Sequence, residues 1–176
     1  ACPLLLLSDD VLEVVGHQIS DALRPAVACA LAAGNHNLWR VMRAPLATLQ
    51  PRHAAARALA AKVGSSCAQL SAARMLSWFN NGLDATNMAT LAMLFSTGAL
   101  ARVEDLDLAC NRFGPAGGSA LLSGLGCGDA PRLTWLNLHN TGLGDVGAAT
   151  IAAALSRGAL PKLEGLSVGW NRIGDE

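Results

Sequence analysis

Apolar and polar positions recur every 30 residues in the second half of the chain. When each unit is counted from its start at residue 73, 103, 133 or 163, the fourth and sixth positions are apolar in every unit. The fifth position, between them, is always polar. Apolar residues that alternate with polar ones are typical of a short strand with one buried face. We therefore expect four strands, one near the beginning of each unit.

The second half of each unit predicts a helix over positions 17 to 25. Residues 149–156 are rich in alanine, and Ile151 and Leu155 lie four residues apart on one helical face. In the second unit, "GGSALLSGLGCGDAP" places five glycines in or after this segment. Because glycine costs about 1 kcal/mol relative to alanine inside a helix, we expect that helix to be short or frayed.

A polar column separates the strand from the helix. Position nine holds Asn81, Asn111, Thr141 and Asn171, followed two residues later by an apolar side chain. An inward asparagine can bond backbone groups that the turn leaves unpaired, whereas threonine supplies only part of those bonds. A single strand–turn–helix unit cannot cover its own apolar face, so neighbouring units must stack and share one core.

The motif L-x-x-L-x-L-x-x-N-x-L resembles the leucine-rich repeat, and the 30-residue unit and final "NRIGDE" are similar to the ribonuclease-inhibitor-like class. This resemblance implies an α/β leucine-rich-repeat solenoid with parallel strands inside, helices outside and a concave face that binds proteins. The repeat domain is residues 73–176, and its last unit is incomplete. We expect either a longer native chain or a partner that covers this end.

The first 72 residues do not follow the period and predict an N-terminal all-helical module. One helix follows a cap at Ser8 or Asp9, a second begins near Arg24 and stops at Gly34, and a third ends at a break at Pro45.

"LSDDVLEVV", the helix containing Cys29, and "NLWRVM" together resemble an F-box. An F-box docks on the Skp-type linker subunit of cullin ubiquitin ligases. The resemblance implies that an apolar set would contact this partner: Leu7, Val11, Leu12 and Val15. The alternative is an N-terminal cap, in which the same side chains would face Trp78 and the first strand.

Charge, hydropathy and cysteine content limit the partners and the compartment that we expect. The net charge is 0, so no basic excess favours nucleic acid or an anionic membrane surface. The longest apolar run, residues 26–33, is shorter than the roughly 20 residues of a membrane span. The five cysteines contain no C-x-x-C pair, which favours an intracellular, reducing compartment such as the cytoplasm or nucleus.

The strand positions that point away from the core hold the candidate partner-binding residues. Large aromatic side chains stand where a solvated surface would ordinarily be polar, and acidic residues lie beside them. The candidates on the concave face are Phe79, Glu104, Asp105, Asp107, Trp135, Asn137, His139 and Trp170.

The sequence gives no reason to expect catalysis, a cofactor or a metal. The four histidines lack metalloprotease spacing, and no G-x-S-x-G elbow occurs. Asp107, Cys110 and His139 could meet across strands, but such a trio arises commonly by chance. We therefore expect a non-catalytic protein–protein interaction module, either an F-box-like substrate receptor of a cullin-type ligase or, alternatively, a stoichiometric scaffold subunit of a large complex.

Overall fold

The computed structural model describes residues 36–174, and for residues 36–46 and 48 it describes only the backbone. Two helices come first, α1 (His36–Lys62) and α2 (Cys67–Ala72). Strands and helices then alternate: β1 (Met75–Ser77), α3 (Ala85–Ser96), β2 (Asp105–Asp107), α4 (Gly114–Ser123), β3 (Trp135–Asn137), α5 (Gly144–Ser156) and β4 (Gly165–Ser167). The predicted docking residues Leu7, Val11, Leu12 and Val15 lie outside the described residues.

The four strands form one parallel sheet in the order β1-β2-β3-β4. Neighbouring strands pair residues that are 30 apart, so that Leu76, Leu106 and Leu136 follow one another across the sheet. Leu166 continues this row on β4. The predicted set of four parallel strands, one per unit, is therefore confirmed.

The shared core lies between the sheet and the helices. Leu106 and Leu136 are buried, as are Leu108 and Leu138 two residues further along. These side chains belong to one apolar cluster that also includes residues of α3, α4 and α5. Burying each leucine contributes about 1.5–3 kcal/mol, so the period of 30 reflects a packing requirement.

The polar column forms hydrogen bonds inside the turn. The Asn111 side chain is buried, and its Oδ1 accepts from the N–H groups of Asn81 and Leu83, each at 3.0 Å. Its Nδ2 donates to the carbonyl oxygens of Trp78 at 2.7 Å and Leu108 at 2.8 Å. One amide therefore pairs backbone groups of two successive units, as the sequence predicts.

Asn171 forms the equivalent hydrogen bonds, whereas Thr141 forms only some of them. The Asn171 Oδ1 accepts from the N–H groups of Thr141 at 2.9 Å and Leu143 at 3.2 Å. The Thr141 hydroxyl lies 2.9 Å from the carbonyl oxygen of Leu138 and 3.0 Å from the Asn171 Oδ1. Both turns also accept a backbone bond from the preceding unit, from the Gly114 N–H to the Thr141 carbonyl oxygen at 3.0 Å and from the Gly144 N–H to the Asn171 carbonyl oxygen at 2.9 Å.

The repeat helices begin earlier than the alanine-rich segments indicate. Helix α5 starts at Gly144 rather than at residue 149. In α4 and α5 the first turn packs closely on the preceding apolar residue: a Cβ at Gly117 would lie 2.6 Å from the Phe113 Cβ. Glycine is needed there for close packing, and α4, with 10 residues, is the shortest of the three repeat helices, as predicted.

The predicted helix break at Pro45 is wrong. Helix α1 runs for 27 residues through Pro45 and Pro51. A proline inside a helix costs about 3 kcal/mol, and the burial of Leu49 and Leu59 further along α1 offsets this cost. Among the described helices, α1 included, none is long and apolar enough to cross a membrane.

The helical segment also seals the first repeat unit. Leu59 and Ala60 of α1 and Leu70 of α2 are buried in the same cluster as Trp78. At the end of α1, the Lys62 ammonium lies 2.8 Å from the Asn87 Oδ1 and 3.4 Å from the Asp84 carboxylate. The first unit therefore has an apolar and a polar junction with the preceding helices.

Candidate functional site

One face of the sheet is not covered by any described helix, and we call it the open face. It comprises the residues at positions three, five, seven and eight of the four units. The register of the strands aligns position three as a row across the sheet, and position five as a second row. The two rows are Met75, Asp105, Trp135, Gly165 and Ser77, Asp107, Asn137, Ser167.

Large apolar side chains are exposed on the open face. The exposed fraction is 55% for Phe79, 46% for Trp135 and 82% for Trp170. Met75, which the sequence analysis did not single out, is also exposed and lies at the first end of the position-three row. Three of the predicted site residues and one further side chain therefore give this face an apolar character.

Trp135 lies over the backbone of the next strand. An added Cβ at Gly165 would be 1.9 Å from the Trp135 Cε3 and 2.1 Å from its Cζ3, so the six-membered ring occupies the space of the missing side chain. Any larger residue at position 165 would displace the indole. Sequence reasoning missed this role, although a glycine inside a strand is a known sign of close approach.

A second aromatic contact lies further along the same two units. An added Cβ at Gly169 would be 3.0 Å from the His139 Nδ1, so the imidazole also packs over a glycine of the fourth unit. The ring centroids of His139 and Trp170 are 6.2 Å apart with an interplanar angle of 41°. His139 and Trp170 therefore lie close together beyond the ends of β3 and β4, whereas Trp135 lies over Gly165 on the strands themselves.

Position eight turns the chain in every unit. Asn80, Cys110, Asn140 and Trp170 all have φ values between 52° and 60°. The turn is fixed by backbone bonds to the next unit, including that from the Asn140 N–H to the Gly169 carbonyl oxygen at 2.9 Å. Asparagine tolerates this left-handed region, whereas a bulky side chain is unusual there. Trp170 is thus held in a strained position with its ring in solvent.

The acidic residues occupy the second unit. The Asp107 Oδ1 accepts from the Ala109 N–H at 3.0 Å, and the equivalent Asn137 Oδ1 accepts from the His139 N–H at 3.1 Å. Within residues 36–174, neither Asp105 nor Asp107 makes an ion pair.

Glu104 differs from these two aspartates. It precedes β2, at the edge of the sheet where the strands begin, and its carboxylate lies 3.5 Å from the Arg74 guanidinium. Its carbonyl oxygen accepts from the N–H groups of Thr134 and Trp135. Glu104 therefore lies beside the open face, in an ion pair, rather than in its rows.

A shallow depression of about 460 Å³ lies where the strands end. It is lined by Phe79, Asn80, Gly82, Cys110, Arg112 and Asn140. Among the described residues, no group of three or more histidine, cysteine, aspartate or glutamate side chains could hold a metal ion. Within its lining, the Asn140 amide nitrogen lies 3.6 Å from the Cys110 sulfur.

Two segments of the chain match the leucine-rich repeat family (Leucine Rich repeat), residues 103–122 and 159–176. The first covers the strand and most of the helix of the second unit, and the second covers the last four residues of the third unit and residues 163–176 of the fourth. A search of curated proteins found no match to the chain. The family match, the parallel strands paired 30 residues apart and the buried asparagines agree, and together they support a leucine-rich repeat protein.

Proposed function

We propose that this protein is a non-catalytic protein-binding module whose open face is the recognition surface. Leucine-rich repeats generally mediate protein–protein interactions. The observation that carries the proposal is the exposure of Phe79, Trp135 and Trp170 on one sheet face. Single exposed apolar residues are ordinary, but several on one face mark an interaction site, and tryptophan is enriched among residues that dominate binding energy.

The finer proposal is an F-box-like substrate receptor of a cullin-type ubiquitin ligase. Leu7, Val11, Leu12 and Val15 would contact a Skp-type subunit while the open face holds the target. The described core supports this division, because Leu59 and Leu70 already cover the apolar side of the first unit. A cap built from the four front residues is therefore not required to seal that unit.

The alternative is a scaffold subunit of a large assembly. The observation that favours it is at the fourth unit, where Leu166 and Val168 are only partly buried and Ile173 is exposed. The equivalent residues Leu136 and Leu138 of the third unit are fully buried. A neighbouring subunit beside β4, or a further repeat unit of a longer chain, would bury this apolar surface.

We also propose that the protein works in a reducing intracellular compartment. The described cysteines Cys67, Cys110 and Cys127 are free thiols. Free cysteines of this kind are usual where thiols are kept reduced.

Photo-crosslinking in cells tests the binding face. A photoreactive amino acid at position 137, on β3, is expected to crosslink to a partner protein, and Trp135→Ala with Trp170→Ala should remove the crosslink. The matched control is position 149, which is exposed on α5. Equal crosslinking at both positions, or no effect of the double variant, would contradict a recognition role for the open face.

Co-purification separates the two finer roles. A Skp-type subunit recovered with the full chain, and lost from the double variant Leu12→Asp with Val15→Asp, supports the receptor. Recovery in a fixed complex that lacks any ligase subunit and is unaffected by that variant supports the scaffold.

A further inference from the structure

The open face has an uneven charge, although the protein as a whole carries a net charge of 0. Among the four residues that each unit contributes to this face, the only side chains with a full charge are Asp105 and Asp107. The Arg74–Glu104 pair lies at the edge where the strands begin and is internally neutral. Arg112 lines the depression at the other end of the strands. The centre of the face is therefore negative.

The two carboxylates are positioned to receive a cation from outside the chain. Neither makes an ion pair within the described residues, and Asp107 uses only one oxygen for its bond to Ala109. A carboxylate in this situation gains free energy when an ammonium or guanidinium group approaches it on a face partly shielded from water.

A tryptophan lies on the strand next to the acidic pair. The register places Asp105 directly opposite Trp135 on the neighbouring strand, and neighbouring strands are about 4.8 Å apart. The indole lies over Gly165 on β4, on the side of Trp135 away from Asp105, so its ring is held in place and a cation between it and the carboxylates would lie above β3. A cation within about 6 Å of an indole face is attracted to the ring. The two carboxylates and the Trp135 ring would therefore both attract a positively charged group.

We propose that the occupant of the open face is an extended segment of a partner protein in which a lysine or arginine is flanked by apolar side chains. This inference rests on the proposed protein-binding function and specifies its partner. The cation would lie between the carboxylates of Asp105 and Asp107 and the Trp135 ring. One apolar side chain would contact Phe79 on the first unit, and the other would contact Trp170 on the fourth.

The spacing of the strands fits such a segment. Four strands span about 14 Å, from three gaps of about 4.8 Å each. An extended peptide rises about 3.4 Å per residue, so residues i, i+2 and i+4 lie on one side and also span about 14 Å. A peptide that crosses the strands can therefore place an apolar, a basic and an apolar side chain on successive parts of the face.

Gly165 has a positioning role in this arrangement. Because a methyl group at residue 165 would overlap the Trp135 ring, Gly165→Ala must move the indole without removing it. A purely structural role for Gly165 would change the free energy of unfolding but leave the preference for basic peptides intact. The proposal expects that preference to weaken at least threefold.

The test is a selection of random 12-residue peptides displayed against the immobilised full chain, followed by fluorescence polarisation of the selected peptides. The selected sequences should contain lysine or arginine between apolar residues. Their dissociation constants should rise at least tenfold for Asp105→Asn with Asp107→Asn, and should rise with salt between 50 and 500 mM. The asparagine at residue 107 can keep the turn bond, as Asn137 does in the next unit.

The matched control is Glu164→Gln, an exposed carboxylate before β4 and outside the rows of the open face, for which less than a twofold change is expected. Selected peptides that are neutral or acidic, and lose binding with Trp135→Ala, would overturn the basic specificity and leave the proposed function standing. A selection that yields only peptides insensitive to both Trp135→Ala and the aspartate changes would overturn both.

Discussion

Trp78 and Trp135 are the same residue type at opposite faces of the same sheet. Trp78, at position six, is 3% exposed within the core, whereas Trp135, at position three, is 46% exposed on the open face. Alternation along the strand decides which face a side chain joins. Residue type alone therefore does not identify a recognition residue in this protein, whereas position within the unit does.

The two faces also differ in how much their residues vary. On the inner face, position four is leucine in every unit, because each side chain must fill a space set by its neighbours. On the open face, position three changes from methionine to aspartate to tryptophan to glycine. Repetition therefore marks the residues that hold the fold, and its absence marks the surface available for recognition.

The largest expected difference between the two faces is in how far a substitution lowers the free energy of unfolding. Leu136→Ala should lower the free energy of unfolding by about 2–5 kcal/mol, because it removes buried methyl groups and leaves a cavity. Its neighbour Trp135→Ala should change stability by less than about 1 kcal/mol. Urea denaturation of both variants measures the difference. Equal losses of stability would show that Trp135 is a core residue.

The next largest loss of stability is expected in the turn between strand and helix that Asn111 supports. Asn111→Ala should cost about 1–3 kcal/mol, because buried backbone groups of two units lose their partners. Asn81→Ala is the control and should cost less, since that amide has only a local bond to the Phe79 carbonyl oxygen. Thermal unfolding of the two variants compares them, and a larger loss of stability for Asn81→Ala would contradict the role assigned to the buried Asn111 amide.

A smaller loss of stability is expected when Asp84 is replaced. This exposed residue contributes to the stability of the fold and not to the proposed recognition. Its carboxylate caps α3 by accepting from the Asn87 N–H, which together with Lys62 holds the pKa of Asp84 below its usual value. Asp84→Ala should cost about 1 kcal/mol at pH 7.

The pH dependence at Asp84 has a definite sign. A carboxyl group with a lowered pKa in the folded state stabilises the protein above its unfolded pKa, and this contribution is lost as the pH falls through the folded pKa. The difference in unfolding free energy between the native chain and Asp84→Ala should therefore shrink below about pH 4. A difference that grows on acidification would contradict the capping role.

The sequence was sufficient to predict which residues lie on the inner face, but not how the side chains of the open face pack. Leu106, Leu136 and the buried Asn111 follow from spacing alone, because one packing rule repeats in each unit. The contact of Trp135 with Gly165 does not follow, since it depends on which way an exposed ring leans. The path of α1 through Pro45 also does not follow, because packing of residues further along the helix outweighs the local preference.

The most direct test of the account is the solvent exposure of the indole N–H groups, measured by NMR with a soluble paramagnetic agent. A Trp39→Phe variant leaves three signals to compare. The account predicts that Trp78 is protected while Trp135 and Trp170 broaden strongly. Broadening of Trp78 to the same extent as Trp135, or protection of all three in the isolated protein, would contradict the assignment of inner and open faces.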